Sequence, residues 1–356
     1  MARTLMKGNE ALAEAAIRGG CTHFFGYPIT PQNEIPEYLA RELPKNGGVY
    51  LQAESEVAAI HMVYGAAASG GRVMTSSSSP GIALMQEGLS VLAAAQLPCV
   101  VVNVQRAGPG IGGIQPSQAD YYQMTRGGGN GDYRIPSLAP ATIQESVEMM
   151  LEAFEIAEHY RTPVYIVSDG MLGQMMEPVE FKKRTRKPVP IKEWAAVGHN
   201  GKRKPLVVKT MSLVPEILEE NNRKLQEKYR KIEASEYQYE RFRTEQAEVV
   251  LVAYGSTSRI VKDAIVLLAQ SGIRAGLIRP RTLWPFPAEP LTRLKGVCKQ
   301  IVCVEMNHGQ MIDDVRLAVG DRLPVSFYGR SGGVIPTPAE IAEHIKGLIK
   351  QGVTDV

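Results

Sequence analysis

The run Pro98–Val104, PCVVVNV, places the tightest limit on what this chain can become. A strand that is apolar on both faces belongs inside a parallel sheet with a layer on either side. Shorter runs of the same kind stand at Thr22–Phe25, Val49–Leu51, Val73–Ser76 and Pro163–Val167. Helical patterns separate them, among them residues 7–19, a stretch headed by Glu56, and residues 143–159. Strand and helix in alternation predict a doubly wound α/β domain. A second α/β unit starts at Glu248, with strands at Val249–Ala253, Arg274–Ile278, Ile301–Glu305 and Val325–Tyr328. Its last helix opens on Thr337-Pro338-Ala339-Glu340, a capping box with proline at the first helical position. Thr30 followed by Pro31 reads as another helix start.

Between the two units the alternation lapses. FKKRTRKPVPIKEW at 181–194 is expected to be a solvated basic linker, and residues 213–243 a long charged helix. One stripe of that helix carries Ile217, Leu218, Leu225, Tyr229 and Ile232, as in a strut packed on the body or on another chain. The expected partition is 1–175, 176–246 and 247–356, and 356 residues suffice for two domains. Net charge is only +3, so nucleic acid is not implied. No apolar run approaches the ~20 residues of a membrane span, MARTLMKGNEALAEA is no signal peptide, and a cytoplasmic protein is expected. Cys21, Cys99, Cys298 and Cys303 show no C-x-x-C spacing, which leaves no cluster or zinc site in this chain.

Ligands of open α/β sheets bind beyond the carboxyl ends of the strands. Three such ends carry distinctive groups: the turn Tyr27–Pro31, the entry to Glu56, and Arg106. Glu54 and Glu56 are two apart, so at most one of them faces a given target. Arg106, followed by Ala107-Gly-Pro-Gly-Ile-Gly-Gly, suits a bidentate clamp on a ligand carboxylate. It equally suits an internal pair with Asp120 or Asp132. The Gly127–Gly131 run before Asp132 offers a weak phosphate cradle without the P-loop pattern. A clamp, a hydroxyl and a placed carboxylate, with neither nucleophile nor metal ligands, amount to half an active site.

GYPITP at 26–31, SEVAAIHMVYGAAASGGRVMTSSSSPG at 55–81, QRAGPGIGGIQPSQADYYQ at 105–123 and RPRTLWPFP at 279–287 resemble the α subunit of 2-oxoacid:ferredoxin oxidoreductases. The resemblance covers nearly the whole chain and implies two doubly wound domains. The first is a thiamine diphosphate-binding domain of the pyrimidine type, and the second is similar to the C-terminal domain of transketolase. PGIGGIQPSQADYYQ is most similar to the branched-chain, 3-methyl-2-oxobutanoate members. The resemblance further implies that Glu56 bonds the ring nitrogen of the cofactor's aminopyrimidine and favours the imino tautomer that removes the thiazolium proton. It implies Pro28 and Ile29 beside the cofactor, with Arg106 and Thr30 on the substrate carboxylate. Electrons would go to ferredoxin and the acyl group to coenzyme A. Gly131-Asp132-Tyr133 departs from the family's G-D-G magnesium–diphosphate motif. That half, with its Mg²⁺, is therefore expected on a β subunit, and [4Fe-4S] clusters on partner chains. A γ chain and a ferredoxin-like δ chain would complete a hetero-oligomer with two copies of each chain. Alternatives are the same reaction on 2-oxoglutarate or pyruvate, a non-oxidative thiamine decarboxylase half, and a catalytically silent assembly subunit. His308, at a strand end of the second unit, is expected to be structural.

Overall fold

The computed structural model describes residues 3–181, 192–199 and 201–350. Most of the stretch expected to be a basic linker lies outside them.

The first sheet has seven strands in the order Thr282–Trp284, Ser137–Leu138, Pro163–Asp169, Cys99–Gln105, Val73–Ser77, His23–Gly26 and Val49–Gln52. All neighbours pair in parallel except the first two. Cys99–Gln105 lies at the centre with every residue buried, as its unbroken apolar run requires. Gly8–Arg18 and Ile143–Tyr160 share an apolar cluster on one face. Glu56–Ala68 and Gln86–Ala94 cover the other.

The second sheet orders Val325–Gly329, Gln300–Glu305, Val249–Val252, Ala275–Pro280 and Tyr239–Phe242, the last antiparallel. Gly255–Gln270 and Pro338–Lys350 pack on one of its faces. The expected capping box forms: Thr337 Oγ1 accepts the Glu340 N–H at 3.2 Å, and Glu340 accepts the Thr337 N–H at 2.8 Å. A two-stranded ribbon pairs Thr4–Lys7 with Met176–Val179.

The two units interlock. Thr282–Trp284, from the second, closes the first sheet, while Tyr239–Phe242, which precedes the second unit, edges the second sheet. One apolar cluster runs from Ile60 and Leu89 through Tyr229 and Trp284 to Val250 and Ile301. Polar bolts cross the same boundary. Gln118 is fully buried; its Nε2 donates to Tyr254 O at 2.9 Å, and its Oε1 accepts from Thr257 Oγ1 at 2.8 Å and Met306 N at 3.1 Å. Arg279, 2% exposed, donates to both oxygens of Glu145 at 2.8 and 2.6 Å. Glu240 lies 2.7 Å from its Nε.

Several local expectations give way. The helix after GYPITP is Glu34–Glu42, not one that opens at Pro31, and Thr30 caps nothing. Gln32 closes the turn first, through its own N–H to Ile29 O at 3.1 Å. The charged helix spans Pro215–Ser235 and buries Leu225, Tyr229 and Ile232. Ile217, near its start, stays 53% exposed. No helix among the described residues is long and apolar enough to cross a membrane.

Candidate active site

The carboxyl edge of the first sheet gathers the three groups that the sequence set apart. Val49–Gln52 ends the sheet, and the chain turns through Ser55, whose Oγ caps the next helix by accepting the Ala58 N–H at 3.2 Å. Glu56 is the first residue of that helix, at the positive end of its dipole. Its side chain turns inward and is 5% exposed, while Glu54 precedes the helix and lies on the surface. Ser77 Oγ donates to Glu56 Oε1 at 3.3 Å. The other oxygen takes no hydrogen bond from the described residues. A buried carboxylate held at one oxygen and open at the other is suited to a ligand that brings its own donor.

The serine turn 76–79 ties this edge together. Ser76 Oγ donates to Gln32 Oε1 at 2.6 Å and so fixes the floor of the GYPITP turn. Ser77 holds Glu56. Ser79 Oγ accepts the backbone N–H of Arg106 at 3.0 Å and donates to Asp120 Oδ2 at 2.6 Å. Asn103 Nδ2 also donates to Asp120, at 2.9 Å. Burial raises the Asp120 pKa above the ordinary carboxylate value, against these two hydrogen bonds.

Arg106 is 8% exposed and pairs with neither Asp120 nor Asp132. Its Nη1 donates to Thr30 O at 3.0 Å and its Nη2 to Ile111 O at 2.9 Å. Nε is buried with no partner. Arg106 thus joins the turn 26–31 to the glycine loop 107–113, and Thr30 and Pro28 stand exposed at the rim with Ile29 half-buried. Gly112 has φ +56, and a Cβ there would lie 1.9 Å from Ala107 O, so this loop needs its glycine.

The weak phosphate cradle at Gly127–Gly131 loses its first donors to the protein itself. Tyr133 Oη accepts the N–H groups of Gly128 and Gly129 at 3.2 and 2.9 Å, and Gln86 Oε1 accepts Gly128 N–H at 2.9 Å. Those donors are satisfied internally. His308 is exposed and shares a hydrogen bond with Ser331 at 2.8 Å in the second unit. All four cysteines are buried and unbridged, and burial pushes the Cys21 and Cys99 thiols up to about 12.

Sequence reasoning missed Gln32 and the separate duties of Ser76, Ser77 and Ser79. The only available signal was the serine run itself, directly after a buried strand.

A family model for the pyruvate flavodoxin/ferredoxin oxidoreductase thiamine diphosphate-binding domain matches residues 14–246, and one for pyruvate:ferredoxin oxidoreductase core domain II matches 247–341. Ketoisovalerate oxidoreductase subunit VorB of Methanothermobacter marburgensis is 48% identical, over 98% of this chain and 98% of its own length. The 2-oxoglutarate synthase subunit KorA of Methanocaldococcus jannaschii is 37% identical, over 96% and 99%. A solved structure of 2-oxoglutarate:ferredoxin oxidoreductase from Magnetococcus marinus, with 2-oxoglutarate, coenzyme A and succinyl-CoA bound, aligns with a TM-score of 0.85 at 29% identity. It covers 98% of this chain, which spans 65% of that one. The chain belongs to the pyruvate flavodoxin/ferredoxin oxidoreductase family, and comprises its thiamine diphosphate-binding domain and its core domain II.

Proposed function

We propose that this chain is the cofactor-activating and substrate-binding half of a 2-oxoacid:ferredoxin oxidoreductase acting on 3-methyl-2-oxobutanoate. The 2-oxoacid and coenzyme A give the acyl-CoA, carbon dioxide, a proton and two electrons, which pass singly to ferredoxin. The observation that carries this reading is the Glu56 carboxylate, buried and half-satisfied, inside the segment matched by the thiamine diphosphate-binding model. Bound there, thiamine diphosphate supplies a carbon nucleophile for the ketone and a sink for the electrons left behind by carbon dioxide.

Each residue has a task in that scheme. Glu56 shares a proton with the ring nitrogen of the aminopyrimidine, and Ser77 keeps Oε1 turned away so that the other oxygen meets the ring. Pro28 and Ile29 lie against the cofactor. Arg106 takes the substrate carboxylate, with the Thr30 hydroxyl beside it. Nη1 and Nη2 each spend one N–H on the carbonyls of Thr30 and Ile111, so a carboxylate can take the N–H groups that remain, including the unpartnered Nε.

The remaining parts belong to other chains of the complex. A β subunit would carry the diphosphate and Mg²⁺, and partner chains, including γ and a ferredoxin-like δ, the [4Fe-4S] clusters. A cytoplasmic location and the partition 1–175, 176–246 and 247–356 belong to the same proposal. Identity of 48% with a ketoisovalerate subunit against 37% with a 2-oxoglutarate subunit supports the branched-chain substrate.

The complex purified anaerobically through this chain tests the reading. Viologen dye reduction is followed with thiamine diphosphate, Mg²⁺, coenzyme A and a panel of 2-oxoacids. The branched-chain acid should be preferred, and Glu56→Gln should lose several orders of magnitude. Preference for 2-oxoglutarate or pyruvate would remove the substrate alone. A fully active Gln variant would make the chain a scaffold, and free aldehyde formed without coenzyme A or an electron acceptor would make it a non-oxidative decarboxylase.

A further inference from the structure

The long helix Pro215–Ser235 closes a cavity of about 250 Å³ against the loop that follows the glycine run 127–131. Asp132 and Arg134 line it from the loop, and Gln226, Tyr229, Arg230 and Glu233 from the helix. The four helical residues stand three and four apart, so one face of the helix carries them all. Gln226 Nε2 donates to Asp132 O at 2.6 Å and ties the two walls together. None of these six residues belongs to the site at the carboxyl edge of the first sheet.

Two features of the walls describe an occupant. The first is a hydroxyl. Tyr229 is 2% exposed, its ring edge-on to Trp284 with centroids 5.9 Å apart, and it forms the floor. The Arg134 backbone N–H approaches its Oη as a donor, but the hydroxyl proton has no acceptor among the described residues. Burial pushes the phenol up to about 12, so that proton stays in place. A buried donor left without an acceptor calls for one from outside. The second feature is charge. Arg134, Arg230, Asp132 and Glu233 are all exposed, and among the described residues none of the four takes part in an ion pair. Arg134 gives one N–H to Tyr133 O at 3.2 Å and keeps the rest of its fork. A lone anion would meet the two carboxylates here, and a lone cation the two guanidiniums. A molecule with both charges avoids either repulsion. It must be small, since the cavity is below the roughly 300–1,000 Å³ that drug-sized ligands occupy. No aliphatic side chain lines the space, so it offers nothing to a large apolar group.

We propose that this cavity binds a small free α-amino acid, whose carboxylate accepts from the Tyr229 hydroxyl and the Arg134 and Arg230 guanidiniums while its ammonium faces Asp132 and Glu233. The site is independent of the proposed reaction. A 2-oxoacid has no ammonium and gains nothing from the two acids, so the occupant is an effector and not the substrate. Bound there, it bridges the helix and the loop, and by mass action it stabilises the folded chain.

The test titrates the anaerobic complex by calorimetry at low ionic strength with glycine, the smallest such zwitterion, and with acetate and methylamine as its two halves. Glycine should bind about tenfold more tightly than either half and raise the melting temperature. Tyr229→Phe, Arg230→Gln and Glu233→Gln should each weaken glycine binding about threefold or more. The Phe variant keeps the buried ring and the other two alter exposed side chains, so all three should fold and reduce viologen dye at the wild-type rate without amino acid. Acetate or methylamine binding as tightly as glycine would make this a site for a simple ion and overturn the proposal. Competition between glycine and 3-methyl-2-oxobutanoate would make it a second substrate site. Glycine that fails to bind the complex, or binds wild type and all three variants alike, would leave the cavity without this ligand.

Discussion

Gly81 stands where any side chain would collide with the group we place at the centre of the chemistry. A Cβ there would lie 2.4 Å from Glu56 Oε1 and 2.1 Å from Ser77 Oγ. Gly81→Ala should therefore push the carboxylate off its position and weaken thiamine diphosphate binding tenfold or more, about 1.4 kcal/mol. Fluorescence titration of the cofactor into the apo complex reads this directly. An unaltered dissociation constant would separate Glu56 from the cofactor. Ser77→Ala is gentler, since one long hydrogen bond disappears at a cost of about 1 kcal/mol. It should lower kcat more than it raises the KM for the 2-oxoacid, and Ser77→Thr, which restores the hydroxyl, should recover the loss. Glu56 drew notice in the sequence as a carboxylate heading a helix behind a strand, but spacing did not separate it from Glu54, and only the family resemblance did. Ser77 and Gln32 were not legible. Their partners lie 21 and 44 residues away, and no local pattern reports such distances.

Among the elements, the helix Pro215–Ser235 carries a titrating contact. Lys228 Nζ donates to Arg161 O at 3.0 Å and to Gln96 Oε1 at 3.4 Å. Burial, with the nearby Arg161 charge, lowers its pKa to about 7. The folded form then holds fewer protons than the unfolded chain between about pH 7 and the ordinary lysine value near 10.4. Docking of this helix should strengthen as pH rises through that window. Melting temperatures measured across it should climb more steeply for the wild type than for Lys228→Met, and parallel slopes would refute the assignment. The stripe of Leu225, Tyr229 and Ile232 was readable from its spacing, and all three are buried. Ile217 continues the stripe beyond the surface this chain offers and Leu218 is only half covered, since periodicity shows a face and not what covers it. The failures elsewhere have the same root. Thr30-Pro31 has the chemistry of a cap, but the backbone bends once more, around Gln32, before a helix can begin.

For the molecule as a whole, the boundary between the units is held by buried polar groups whose partners cannot be removed singly. Arg279→Met would leave Glu145 only the Ala141 N–H and the more distant Arg281, and would lose the Glu240 contact, at a cost of about 3 kcal/mol. Thermal unfolding monitored by calorimetry should show a markedly lower transition, and a shift under 1 °C would mean that the pair is solvated. Burial pushes Glu145 up, but its hydrogen bonds to Arg279 and the nearby charges outweigh this and hold its pKa below the usual carboxylate range. Its contribution is therefore present above about pH 4.3 and lost as pH falls through the depressed value. Two α/β units followed from the alternation of strands and helices. Their exchange of strands did not, because Thr282–Trp284 and Tyr239–Phe242 are too short to show a period.

That exchange makes the chain behave like two clasped hands. Severed after residue 246, each piece would carry away a finger of the other: the first keeps Tyr239–Phe242, and the second keeps Thr282–Trp284. Neither piece could finish its own sheet, and each would present a bare rim to any strand that came near. Produced alone, both should clump; produced together, they should find one another and rebuild the whole. A gene split at that point would still encode a working subunit, whereas a gene encoding either piece alone would not.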